Sequence, residues 1–204
     1  MNALRITLET LYRADVLKRL VAGATTGDAD AFLGAAAQLT WTGGWVDALR
    51  ALVPLGTVPD AIRSAFQHVW DSSVSQEFGL RRTMTYDLLG QDQLLVDGLR
   101  LLLPEIAQTP LTLFRVQSLA DYRAGRIGVW WDGDRSSALS LWLTTSAARE
   151  HDGTAVLLKA EAPPEAIVSG QPDEFGVVVD PRRLASVREL SVLRFDQEPE
   201  LVAA

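Results

Sequence analysis

"QLLVDGLRLLLPEIAQTPLTLFRV", from Gln93 to Val116, holds the point at which the chain changes its period. As far as Pro104 its apolar residues recur at helical spacing, and proline ends that pattern by removing a donor and clashing with the preceding turn. From Thr109 onward the runs are short, apolar, β-branched or aromatic, and Gly, Pro, Asp and Ser separate them. The change predicts a helical region over 1–108 and a strand-rich α+β domain over 109–197.

Working back from that point, helices are expected throughout. Leu4, Leu8, Leu11 and Tyr12, then Leu17, Leu20 and Val21, recur at three- and four-residue steps until Gly23 and Gly27 interrupt them. Asp28 caps a second helix in "GDADAFLGAAAQL", and Gly43-Gly44 separates it from "WVDALRALV". "TVPDAIRSAFQHVWDSSV" begins at Thr57 or Pro59 and sets Ile62, Phe66 and Val69 or Trp70 on one face. Working forward, "LTLFRV", "RIGVWW", "TAVLLKAEA", "AIVSG", "FGVVVD" and "ELSVLRF" read as strands. One helix, "RSSALSLWLTTSAARE", interrupts them, capped by Asp134 or Ser136, with Ala138, Leu141, Trp142 and Thr145 sharing a face.

Composition narrows the chemistry. The 204 residues are 48% hydrophobic and 22% charged, enough for a folded core. A net charge of −7 opposes general nucleic-acid binding. The absence of cysteine rules out disulfides, thiolate zinc sites and cysteine nucleophiles, and two histidines cannot build a histidine-rich metal centre, so no metal is expected. The charged N-terminus and the lack of any run of about twenty apolar residues point away from a signal peptide or a membrane and toward the cytoplasm. His68 reads as a core-edge residue, and His151 lies in the helix-ending turn "REHDG".

Three stretches of the second half stand in a suggestive order: an arginine ending a strand in "LFRV", "GVWWDGD" leading into a helix, and the acidic strand mouth "DEFGVVVDP". This order resembles the Arg-Ser-Glu class of ADP-ribosyltransferases over roughly Leu111 to Leu193. Phe114-Arg115 matches the family's first element and Trp131 the tryptophan of its second, while Gly128, Asp134 and Ala138 fall at flanking positions. "PPEAIV" and "VVVDPRRL" resemble the strands around its acidic loop. The departures are Trp130 in the place of the serine, Asp132 in that of the next threonine, and Gly176 in that of the second, catalytic glutamate, with Glu174 as the first.

The resemblance implies that NAD is the substrate, held by Arg115 and Trp130, and that ADP-ribose passes to an unidentified protein acceptor. In such a transfer a fixed arginine grips the pyrophosphate with forked donors, and a carboxylate beside the ribose offsets the charge that grows as nicotinamide leaves. Glycine can do neither job of that carboxylate. Losing one preorganised group of this kind costs on the order of 3 kcal/mol. A shifted register would let Glu174 take the catalytic place; otherwise the domain is a weakly active or inactive pseudoenzyme, or a non-catalytic interaction module. Each residue has a structural reading as well: Arg115 as a bond to carbonyls, Trp130 and Trp131 as aromatics facing opposite sides of a strand, Glu174 as a solvated loop residue and Gly176 as a bulge glycine.

Overall fold

A computed structural model describes residues 3–72, 79–105, 109–144, 154–170 and 176–194, with side chains from residue 9 onward. The chain divides into two compact units, Met1–Glu105 and Ile106–Ala204, and the fold class is α+β.

The first unit is helical: α1 (Ala3–Thr26), α2 (Ala29–Thr42), α3 (Trp45–Leu52), α4 (Asp60–Trp70), α5 (Leu80–Asp87) and α6 (Asp92–Leu102). Asp28 caps α2 as expected, its carboxylate accepting from the Ala31 amide at 3.0 Å. Gly23 does not break α1. It lies inside the helix, where a methyl group would stand 2.8 Å from the Phe32 amide nitrogen, so glycine permits the close approach of α2. The buried stripe of α1 accordingly runs through Val16, Leu20 and Ala24, and Leu11 and Tyr12 are exposed. On α4, Ile62, Phe66 and Trp70 are fully buried, while His68 is exposed rather than at the core edge. Phe66 stacks on Trp70 at 5.9 Å and meets Phe32 edge-on at 6.4 Å, and Trp45, Leu49, Met84 and Leu95 are buried in the same unit. Asp87, ending α5, accepts from the amides of Gly44 and Trp45 at 2.9 and 3.1 Å, and so caps α3 from 42 residues away.

The second unit holds β1 (Leu111–Ser118), α7 (Leu119–Arg123), β2 (Trp130–Trp131), α8 (Arg135–Thr144), β3 (Thr154–Ala162), β4 (Ile167–Ser169), β5 (Val177–Val179) and β6 (Ser186–Arg194). Two antiparallel sheets form, in the orders β1-β3-β6 and β2-β5-β4. They meet where Phe114 and Asp132 exchange both backbone hydrogen bonds at 2.8 Å. The alternation of β3 builds two cores: Val156, Leu158 and Ala160 join Leu113, Trp131, Val177 and Val179, while Ala155 and Leu157 join Val116, Ala138 and Trp142.

Two readings of this unit change. "RIGVWW" forms a strand only at Trp130–Trp131; ahead of it the Val129 carbonyl accepts from the Val179 amide at 2.9 Å, while Gln117 holds the Arg126 carbonyl and the Gly128 amide. Leu141 does not share the buried face of α8 with Ala138 and Trp142 and is 49% exposed, since residue 141 falls about 60° beyond the arc that those two define. Thr145 lies outside the described residues. The helix α7, unread in the sequence, is one short turn closed by Ser118, whose hydroxyl accepts from the Asp121 amide at 3.4 Å.

Candidate functional site

The arginine of "LFRV" does not end its strand: β1 pairs on through Ser118, which places Arg115 in mid-strand. Its Nε donates to Gln117 Oε1 at 2.9 Å and its Nη1 to the Trp130 carbonyl at 2.5 Å. The guanidinium lies flat against Gly128, where a methyl group would come within 2.1 Å of Nη2. Gln117 is buried, and it completes the arrangement by accepting from the Gly128 amide at 3.2 Å and donating to the Arg126 carbonyl at 2.7 Å. Trp131 Nε1 donates to the Gly128 carbonyl at 2.9 Å. Thus Arg115 and Gln117 fasten the segment 126–130 onto β1, and the Trp131 bond to Gly128 fixes the turn into β2.

Trp130 and Trp131 then face opposite ways, as successive strand residues must. Trp131 is 1% exposed in the core and Trp130 is only partly buried. Their partners on β5 are Val177 for Trp131 and Val178 for Trp130, which brings the strand after Glu174 directly alongside. Glu174 and Asp173 lie outside the described residues, as does His151. The structure therefore brings together Arg115, Trp130 and the entry of β5, and it leaves Glu174 undescribed.

Gly176 is the first described residue of that entry. Its φ of +79° lies in the left-handed region, and a methyl group there would stand 3.0 Å from the Trp131 carbonyl oxygen. Glycine is thus required both by the backbone and by the space. Gly170 also has a positive φ of +91°, and a methyl group on it would come within 2.3 Å of the Gly176 carbonyl oxygen.

In the sequence Asp132 stands only where the resemblance places a threonine. Its carboxylate oxygen Oδ1 lies 3.5 Å from the point where a side chain at 176 would begin. Burial pushes its carboxyl up to about 6, against the pull of the Arg115 guanidinium and with a further push from Asp134. Among the described residues none donates a hydrogen bond to it. The available signal was an acid placed directly after the Trp130–Trp131 pair, and only the fold shows what it faces. Asp134, by contrast, is consumed locally: its carboxylate accepts from the Ser136 hydroxyl and from the Ser137 hydroxyl and amide, which hold it well below the usual carboxylate range and cap α8.

"VVVDP" ends in a second buried acid. Asp180 is fully buried and binds Arg182 in a two-pronged ion pair at 2.7 and 2.8 Å, with Arg183 at 3.5 Å. It also accepts from the Arg182 amide at 3.2 Å, so it serves the turn rather than a ligand. Among the described residues no three His, Asp or Glu side chains converge as a metal would need, and no described helix is long and apolar enough to cross a membrane. No known protein family, curated protein or solved structure matches this chain.

Proposed function

We propose that the strand-rich unit is an ADP-ribosyltransferase-like domain that binds NAD at the mouth formed by Arg115, Trp130 and the entry of β5. The observation carrying this reading is lateral adjacency. The three stretches that bear the resemblance are separated in sequence, yet β1 bridges to Asp132 directly after β2, and β2 pairs with β5. That adjacency places the three stretches where the resemblance needs them, although neighbouring strands are also common in small antiparallel sheets.

Turnover is expected to be weak or absent. Gly176 is built as a glycine, so no side-chain carboxylate issues from that position. The test is titration of the purified protein with NAD, together with an assay of NAD consumption. Native protein should bind NAD, and Arg115→Lys, which keeps the charge but loses the fork, should weaken binding about tenfold. Consumption that vanishes with Glu174→Gln would assign catalysis to Glu174. No binding at millimolar NAD would overturn the proposal.

One observation favours a second reading, a non-catalytic interaction module with a protein partner. Two of the Arg115 nitrogens already serve the Trp130 carbonyl and Gln117, as a structural arginine would. On that reading Arg115→Lys lowers the melting temperature and the native protein shows no NAD affinity.

A further inference from the structure

We infer that Asp132 carries the acidic function of this site, as the carboxylate that accepts hydrogen bonds from the vicinal hydroxyls of a ribose. The inference rests on the NAD-binding reading above and deepens it by naming the group that meets the sugar.

The geometry supplies three reasons. Asp132 stands at the junction of the two sheets, held there by paired backbone bonds to Phe114, so its position is fixed by both β1 and β2. Its Oδ1 lies 3.5 Å from where a side chain at 176 would start, so glycine there puts no side chain against the carboxylate. Finally, the acid is partly buried without a donor from the described residues. A carboxylate held in that way has two acceptor oxygens to offer, and two adjacent hydroxyls match them.

The charges around it agree with such a use. From β1 it faces Arg115, and from its own loop Asp134, which is occupied in capping α8. The described entry of β5 contributes only Gly176 and Val177, and Arg135 of α8 lies over the Phe114 ring at 5.5 Å. An acid whose ionised form is disfavoured until a ligand supplies donors is the usual signature of a functional carboxylate.

The experiment uses the full chain with two probes, NAD and nicotinamide riboside, the second lacking the pyrophosphate that Arg115 would hold. Native protein should bind the riboside about tenfold more tightly at pH 7.5 than at pH 5, as Asp132 ionises. Asp132→Asn should be about tenfold weaker at pH 7.5 and indifferent to pH, while Asp132→Glu recovers part of the affinity. A purely structural aspartate would not move that pH profile. If NAD binds and depends on Arg115 but both Asp132 variants bind the riboside as native protein does, this inference falls and the site reading stands. If neither probe binds native protein, both fall.

Discussion

The two units solve the problem of a folded interior with different materials. Five buried polar or charged side chains are found among the described residues, and Arg81 alone belongs to the helical unit, where its guanidinium lies over the Trp70 ring at 5.6 Å. Gln117, Ser118, Ser169 and Asp180 all belong to the strand-rich unit. Helices satisfy their own backbone groups, so apolar side chains such as Phe66, Trp70 and Trp45 can fill the space between them. Strands of two or three residues cannot do so, and polar side chains must complete the accounting. Polar side chains gathered around Arg115 are therefore partly a demand of the architecture, which is why its engagement with Gln117 and Trp130 supports the structural reading as well as the functional one.

The comparison is tested most severely at Trp131. Trp131→Ala should cost about 3 to 5 kcal/mol, since it removes both a core ring and the bond to the Gly128 carbonyl, and Trp130→Ala should cost less than half of that. Thermal melts that reverse this order would place the wrong tryptophan in the core. Next in size is Asp180→Ala, expected to cost about 2 to 4 kcal/mol, because two charge-assisted bonds and a turn cap disappear together. An unchanged urea midpoint would show that the polar staples of the strand-rich unit are dispensable.

The helical counterpart is Gly98→Ala, where the new methyl group would fall 2.5 Å from Leu49 Cδ1. Overpacking of this kind costs about 1 to 3 kcal/mol, although alanine is the better helix former. A stabilised Gly98→Ala protein would contradict the close packing of α3 on α6.

The smallest effect concerns pH. The folded carboxyl of Asp132 titrates near 6 and the unfolded one near 3.8, so between those values the folded state holds more proton. Stability contributed by this residue is present below pH 4 and falls as pH rises through 6. Asp132→Asn, which mimics the protonated form, should remove that fall and leave the protein about 1 kcal/mol more stable at pH 7.5, solvent screening allowed for. A variant that is less stable than native at pH 7.5 would mean that the ionised form is paired after all.

What the sequence by itself determined lies in its periods and punctuation. The switch after Pro104, the Asp28 cap, the buried face of Ile62, Phe66 and Trp70, and the nine-residue strand "TAVLLKAEA" are all local, because each depends on residues within a turn or an alternation of one another. Tertiary structure alone decided the rest. Gly23 reads as a breaker until Phe32 is seen pressed against it, and Leu141 reads as core until the packing of α8 is known. Gly176 reads as a lost glutamate until its positive φ and the Trp131 carbonyl 3.0 Å away show a position that strongly favours glycine. Asp132 carries no distinguishing pattern of its own, and its elevated pKa comes from burial between strands that are distant in sequence. Periodicity reports which face of an element meets the core; which residues meet across that core is set by the long-range pairing of the strands, and a single sequence does not encode that pairing in any local signal.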